Sequence, residues 1–580
     1  MKFSEFSIFL DKLDQTSKRL EMTDILSNLI SELDQNEVKN GIYLSLGTLK
    51  APFEDLKFNF ADKQMVKTLA IYSDKEIDEI NKMYSKEGDL GSVGFLISKE
   101  IKNPSPSLLE VYEKLEEIAL IEGTGSQEKK SQKIISLLQG LDPLSIKFAI
   151  RIILGNNRLG FTELTIVDAI CKFLNDKSLK SKVEDSYNRF PDIGFITEKI
   201  KELGIEGVKK IKITPGVPIL PQKAQRLNTP EEIIEKMGKV WCEYKFDGTR
   251  VQLHLDKKNT KVSSDLFGEK TKFLVRTFTR NLEETTHQYP DIIEDAINQL
   301  DVESVILDGE AIGFNKETGE YLPFQETIQR KRKHNVSEMA KQIPLKYLVF
   351  DILYLNGEET INLPLIERRK LLNKIVKKGG NIEIDSHLET SDVSDVENFF
   401  NEAKHKRLEG IMVKKPDSLY EAGARAFSWI KFKRNENTNV LDTVDVVVMG
   451  YFYGKGVRSE FGIGGFLVGI YDKESNSFKS ISKIGSGLTD EEWVKIKEDC
   501  DKISIPEKPK DYDVNKDMFP DVWVKPKIVV SVRADEVSIS PIHTASIALR
   551  FPRLISFRDD KSPFDTTSLE EIKVIYNLKK

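Results

Sequence analysis

The sequence predicts a multidomain protein with an all-α N-terminal domain, an α+β middle domain and a C-terminal β-barrel. Three observations predict it. A chain of 580 residues exceeds what one core can hold. Apolar residues recur at helical spacing from Met1 to about Lys209. After the proline- and glycine-rich stretch Ile213 to Leu227 the pattern changes to strands. The expected boundaries are 1–212, 213–434 and 435–580.

In the first region Phe3, Phe6, Phe9, Leu10 and Leu13 share one helix face, and Ile25, Leu26, Leu29, Ile30 and Leu33 repeat the spacing. KNPSPS, from Lys102, marks a loop, and LGNNRLGFTE, from Leu154, a glycine-rich tip between two helices. In the middle region RVQLHL, KFLVRTFTR, SVILDGEAIGF, LKYLVFDILYL and GIMVKK read as strands, with TPEEIIEKMGK and PLIERRKLLNKIVKK as helices. Beyond WIKFKR, strands such as VDVVVMGYFYG and GFLVGIYD alternate with glycine-rich turns, as in a small barrel.

Composition narrows the function. With 39% hydrophobic and 31% charged residues the chain is globular, and no apolar run approaches the ~18 residues of a membrane span. Neither a signal peptide nor a membrane partner is expected, which places the protein in the cytoplasm, near the nucleoid, of a prokaryote or in the nucleus of a eukaryote. Three cysteines form no CxxC pair, against disulfide and zinc frameworks. HExxH, GxSxG, GxxxxGK[ST] and GxGxxG are absent. The net charge of −6 hides basic stretches, RAFSWIKFKR from Arg425 and QRKRKHN from Gln329, that suit phosphate locally.

VWCEYKFDGTRVQLHLD, Val240 to Asp256, reads as a β-hairpin turning at Asp247 and Gly248, with Lys245 at a strand end. Glu243 and Arg250 stand beside it. LDGE supplies Asp308 and Glu310, LEGIMVKK supplies Glu409 and Lys414, and WIKFKR supplies Lys431 and Lys433. A nucleophilic lysine must be a neutral amine, whereas the ordinary pKa is ~10.4; converging cations and burial favour the neutral form. Carboxylates such as Glu310 and Glu409 oppose that unless a hard cation offsets them, and Mg²⁺ prefers oxygen ligands.

EYKFDGTR resembles the KxDGxR motif of covalent nucleotidyltransferases, and FTRN, LDGEAIGF, FDILYLNG, LEGIMVKK and WIKFKR follow in that superfamily's order. NNRLGFTE, FTRNLEETTHQYPDI and the segment from Asp521 to Pro563 further resemble ATP-dependent DNA ligases of the archaeal and eukaryotic replicative type. The resemblance implies a helical DNA-binding domain, an adenylation domain and an OB-fold. It implies sealing of nicked duplex DNA in replication, repair and recombination through lysyl-AMP on Lys245, with ATP as substrate and Mg²⁺, or alternatively Mn²⁺, as cofactor.

By the same resemblance Glu243 lies near the adenine edge and Phe350 stacks on the ring, while Arg250 and Glu310 contact the ribose or the nick. Arg280, Arg425 and Lys431 hold phosphate oxygens with Lys433 beside them, and Glu310 and Glu409 are the metal-associated carboxylates. Asp247 and Lys414 are further nucleotide or DNA contacts. Arg158 is expected on the DNA backbone, and Arg550, Arg553, Arg558 and Lys561 on pyrophosphate, solvent or DNA. QRKRKHN is expected as a surface or DNA-facing loop. A monomer is expected; relatives often bind a sliding clamp, although no docking peptide is evident. The alternatives are an RNA ligase or capping enzyme, against which the helical first domain speaks, and a catalytically silent nick-binding scaffold, against which Lys245 and both glutamates speak. An NAD⁺-dependent ligase would carry a zinc-binding cysteine cluster, which this sequence lacks.

Overall fold

Helical spacing in the first third becomes helices with one buried face. The computed structural model of the protein describes residues 1–98, 106–155, 157–265, 268–322, 324–331, 336–406, 408–433, 443–534 and 536–575. Phe3, Phe6, Leu10 and Leu13 are buried along the Phe3–Asp14 helix, and Leu26, Leu29 and Ile30 along the Arg19–Glu32 helix; Phe9 and Ile25 sit half-buried at the stripe edges. Of the expected KNPSPS loop, residues 102–105 lie outside the described residues, whereas Ser107 caps the Leu108–Ala119 helix in a capping box with Glu110. No described helix is long and apolar enough to cross a membrane.

The chain divides into two compact units. The first comprises Met1–Asn59, Lys102–Lys133 and Ile152–Arg434, the second Phe60–Ile101, Ile134–Arg151 and Asn435–Lys580.

The first unit contains β1 (Lys223–Arg226), β2 (Val240–Lys245), β3 (Thr249–Asp265), β4 (Gly268–Thr279), β5 (Ser304–Gly313), β6 (Leu345–Leu355), β7 (Glu358–Glu359), β8 (Ile382–Ile384), β9 (His387–Thr390), β10 (Gly410–Lys414) and β11 (Arg425–Lys433). They make a five-stranded sheet in the order β1-β11-β10-β2-β9 and a six-stranded sheet in the order β4-β3-β5-β6-β7, with β8 beside β6. One face of the five-stranded sheet buries Val240, Cys242, Ile411, Val413, Ile430 and Phe432 with Val396, Phe400 and Ala403 of the Val393–His405 helix. The six-stranded sheet buries Val251, Leu253, Leu307 and Val349 with Ile292 and Ala296 of the Pro290–Gln299 helix.

This arrangement corrects the expected hairpin. β2 and β3 belong to different sheets, so the Asp247-Gly248 turn carries the chain from one to the other. Neither residue has the positive φ that a two-residue type I′ hairpin requires. Gly248 answers a different demand: a Cβ there would lie 2.5 Å from the Ala311 carbonyl oxygen and 3.0 Å from Glu310 Cγ.

QRKRKHN is also corrected in part. Arg330 is buried, donates to Asp291 Oδ1 (2.6 Å) and faces neither solvent nor DNA; residues 332–335 lie outside the described residues. Arg434 lies outside them as well.

The second unit carries β12 (Val444–Phe452), β13 (Gly465–Asp472), β14 (Ser477–Ile484), β15 (Ser504–Ile505), β16 (Tyr512–Asp513), β17 (Val522–Val524), β18 (Val529–Arg533), β19 (Glu536–Ile539), β20 (Ile547–Arg550) and β21 (Arg553–Phe557). A register shift between Val448 and Gly450 divides β12: Val444 to Val447 pair with β18, while Gly450 and Tyr451 pair with β17. Among the described residues these pairings make a half-barrel and do not close into the expected barrel; β19 and β20 form a ladder of their own.

Candidate active site

The face of the five-stranded sheet opposite its apolar packing is arranged in three levels. Strand register puts Trp241, Lys414 and Trp429 side by side, then Glu243, Met412 and Lys431, then Lys245, Gly410 and Lys433. Alternation along a strand places residues i and i+2 on one face, about 7 Å apart along the chain. The wall therefore grades from aromatic to cationic. Facing it are Arg250, Glu310 and Phe350 of the six-stranded sheet, and the two walls enclose a cavity of about 470 Å³, within the usual size for a small-molecule site.

At the cationic end Lys245 and Lys433 each donate to a different oxygen of Glu409. Burial acts to raise Glu409, but Lys245 and Lys433 more than offset it and hold the carboxyl below its ordinary range. Lys431 is lowered by burial and then by Lys433, Arg425, Lys245 and Arg280; Arg280 is lowered by burial and then by Arg250 and Arg425. The cations that the sequence scatters over nearly two hundred positions thus converge. Such a cluster attracts phosphate oxygens.

Burial pushes Glu310 up to about 7, against Lys245 and Arg250 and with Glu409 and Asp308. Among the described residues no three His, Cys, Asp or Glu side chains converge. An ion here would rest on Glu310 and Glu409, with its other positions left to phosphate and water, a donor set that fits Mg²⁺.

Arg250 is committed internally. It makes a two-pronged bond to Asp308 (3.0 and 2.6 Å) and donates to the Gln222 carbonyl (2.8 Å), while Tyr420 also donates to Asp308 (2.8 Å). It still lines the cavity, as does Phe350, whose ring meets Trp429 edge-on at 5.9 Å.

At the inner end Glu243 is buried, with one carboxylate oxygen on Arg369 and the other on Lys414 (2.5 Å). Lys414 Nζ also stands 4.7 Å from the Phe350 ring centre and 4.4 Å from that of Trp429. Asp247 is exposed at the turn and lies outside the cavity lining.

Other candidates lie elsewhere. In the tip after the Pro143–Ile153 helix, Arg158 is left-handed (φ 57°) between Gly155 and Gly160, and Asn157 anchors the turn by donating to the Leu44 and Ser45 carbonyls. Arg550, Arg553, Arg558 and Lys561 belong to the second unit. There Arg558 and Lys561 both bind Asp445 Oδ2 (2.9 and 2.6 Å), and Arg558 also pairs with Asp560 (2.7 Å). Arg550 and Arg553 are exposed.

The family model described as ATP dependent DNA ligase domain matches residues 221–433, a span that contains both cavity walls. Two further models, DNA ligase N terminus and ATP dependent DNA ligase C terminal region, match residues 2–171 and 459–561. Across its full length the chain is 41% identical to the probable DNA ligase of Dictyoglomus turgidum, covering 99% of this chain and 97% of that one. The chain belongs to the ATP-dependent DNA ligase family. It is also 36% identical to the DNA ligase of Saccharolobus solfataricus, over 100% of this chain and 97% of the relative. A solved structure described as Pmar-Lig_Pre shares the fold at a TM-score of 0.56 and 17% identity, over 95% of this chain and 99% of that one. The ligase accordingly has the three-part architecture of its family, uses ATP and seals nicks in DNA.

Sequence reasoning missed Arg369, Asp385 and Trp429 among the groups of the ligase's cavity end. Arg369 was hidden because adjacent arginines in a helix read as a solvated face, yet Arg368 and Arg369 are both buried. Trp429 had a signal: it alternates with Lys431 and Lys433 on one strand.

Proposed function

We propose that Lys245 is the residue that ATP adenylates and that the cavity around it holds AMP. The observation that carries this reading is the three-level wall, which sets an aromatic end about 13 Å along the strands, and the Glu243 and Met412 level about 7 Å, from a lysine surrounded by cations. The Lys245 amine attacks the α-phosphorus; a P–N bond forms, the bond to the β-phosphate oxygen breaks, and pyrophosphate leaves. A nick 5′-phosphate oxygen then attacks the same phosphorus and releases the amine. The 3′-hydroxyl finally displaces AMP and closes the strand. Alignment and charge neutralisation dominate such chemistry. Lys431, Lys433, Arg280 and Arg425 hold phosphate oxygens, Phe350 and Met412 sandwich the base, and Arg250 supports the ribose side from its Asp308 anchor. Mg²⁺, or Mn²⁺ in its place, held by Glu310 and Glu409, supplies charge neutralisation at the phosphates.

The residues divide by function at 1–212, 213–434 and 435–580 into DNA-binding, adenylation and OB-fold domains. The ligase works as a monomer in the nucleoid or nucleus, in replication, repair and recombination, with a sliding clamp as partner. Arg158 and Lys414 add DNA and nucleotide contacts respectively, and Arg550 and Arg553 meet pyrophosphate or the DNA backbone. DNA affinity rests on phosphate contacts and falls steeply with salt.

Incubation with α-labelled ATP and Mg²⁺ tests the reading. The protein becomes labelled, labelled NAD⁺ leaves it unlabelled, and nicked DNA discharges the label. Label persisting in Lys245→Ala would overturn the assignment.

A further inference from the structure

The chain passes from β8 in the six-stranded sheet to β9 in the five-stranded sheet through only two residues, Asp385 and Ser386. This crossing is pinned. The Asp385 amide donates to the Val349 carbonyl of β6 (3.1 Å), and the Asp385 carbonyl accepts from Arg369 Nη1 (2.6 Å). Asp385 is 8% exposed and lines the cavity at the level of Leu348, Phe350, Glu243 and Met412. The other carboxylate at this level, Glu243, has both oxygens on cations. Asp385 is thus the carboxyl placed to meet a base lying against Phe350.

We infer that Asp385 reads the purine, its carboxyl pairing with the 6-amino group and N1 of adenine, and thereby sets the preference for ATP over GTP. The inference rests on the assignment of this cavity to AMP. Adenine's edge offers a donor and an acceptor, and a protonated carboxyl offers the complementary acceptor and donor. Guanine offers O6 beside the N1–H and 2-amino donors, and an ionised carboxylate pairs with both donors. Selection of adenine therefore requires the acid form.

The surroundings favour that form. Burial raises Asp385 well above the ordinary carboxyl range and Glu243 on β2 adds to the shift, while Arg369 on the Leu365–Ile375 helix, Lys414 on β10 and the Ser386 amide oppose it. Tyr321 is raised by burial, and Asp385 acts on it together with Lys346, Glu383 and Lys406; His387, two residues beyond Asp385, is lowered by burial, so both stay neutral at pH 7.

The experiment measures enzyme-adenylate and enzyme-guanylate formation with ATP and GTP between pH 6 and 9. In the wild type, selectivity for ATP falls as pH rises. Asp385→Asn keeps one donor and one acceptor without charge, so its KM for ATP stays within about threefold of wild type and its selectivity no longer varies with pH. Asp385→Ala raises KM for ATP about tenfold or more, with a much smaller change in kcat, and loses most selectivity. Wild-type KM and selectivity in Asp385→Ala, or an unchanged pH dependence in Asp385→Asn, would overturn the inference while labelling at Lys245 still supported the adenylation reading. Absence of label at Lys245 in the wild type would instead sink that reading.

Discussion

Lys245 and Lys433 share one carboxylate, each holding a different oxygen of Glu409. The two lysines lie on strands separated by β10, level with Gly410, and that glycine leaves the space between them to the glutamate side chain from the preceding residue. Replacing Glu409 with Gln removes the charge that holds both ammoniums. Single-turnover adenylation by Glu409→Gln is expected to fall about 100-fold or more with the fold intact; a wild-type rate would remove Glu409 from the site.

The inner triad is a stability element. Glu243, Arg369 and Lys414 are all buried, so removing one cation leaves charge without its partner. Arg369→Ala is expected to cost roughly 3–5 kcal/mol in denaturant unfolding. The exposed pair of Arg19 with Asp168 provides the control, where Arg19→Ala should change stability by less than about 1 kcal/mol.

Gly248 has no room for a side chain, because the Ala311 carbonyl oxygen occupies the position a Cβ would crowd. Gly248→Ala must displace the backbone between Lys245 and the opposite wall. Adenylation is expected to drop about 100-fold, with only about 1–3 kcal/mol lost in stability. Equal loss of both in proportion to unfolding would refute a positional effect.

His254 links acidity to folding. It is buried, its Nδ1 accepts from the Gly216 amide (3.1 Å) and its Nε2 faces Gln252 Oε1 (2.9 Å), so the neutral ring fits and the cation does not. Burial, with Arg276 nearby, lowers it to about 3. The unfolded chain then binds more protons between its ordinary ~6.5 and that value, so stability present above pH 6.5 is lost as pH falls through the window. About 2 kcal/mol should go by pH 5. Unfolding measured at pH 7 and pH 5 should show a smaller difference in His254→Gln than in the wild type.

Much of the site was legible because it is local in sequence: each motif ends a strand, and alternation predicts which of its residues share a face. What could not be read was which strand joins which sheet. The run from Val240 to Asp256 has a hairpin's pattern, yet the partners of β2 are β10 and β9, whose residues lie nearly 150 positions or more away. Arg369 and Asp385 failed for the complementary reason. Arg369 pairs with Glu243 and Asp385 stands near it, a contact more than a hundred positions away that nothing beside them in the chain announces.

Two short crossings tie the cavity walls together: Phe246 to Gly248 at the lysine corner and Asp385 with Ser386 at the opposite one. A span of so few residues reaches about 14 Å at most. The walls therefore behave as a vice locked at both ends, whose jaw width is set by covalent geometry. Access to the space between them is therefore along the open rim, away from the two crossings.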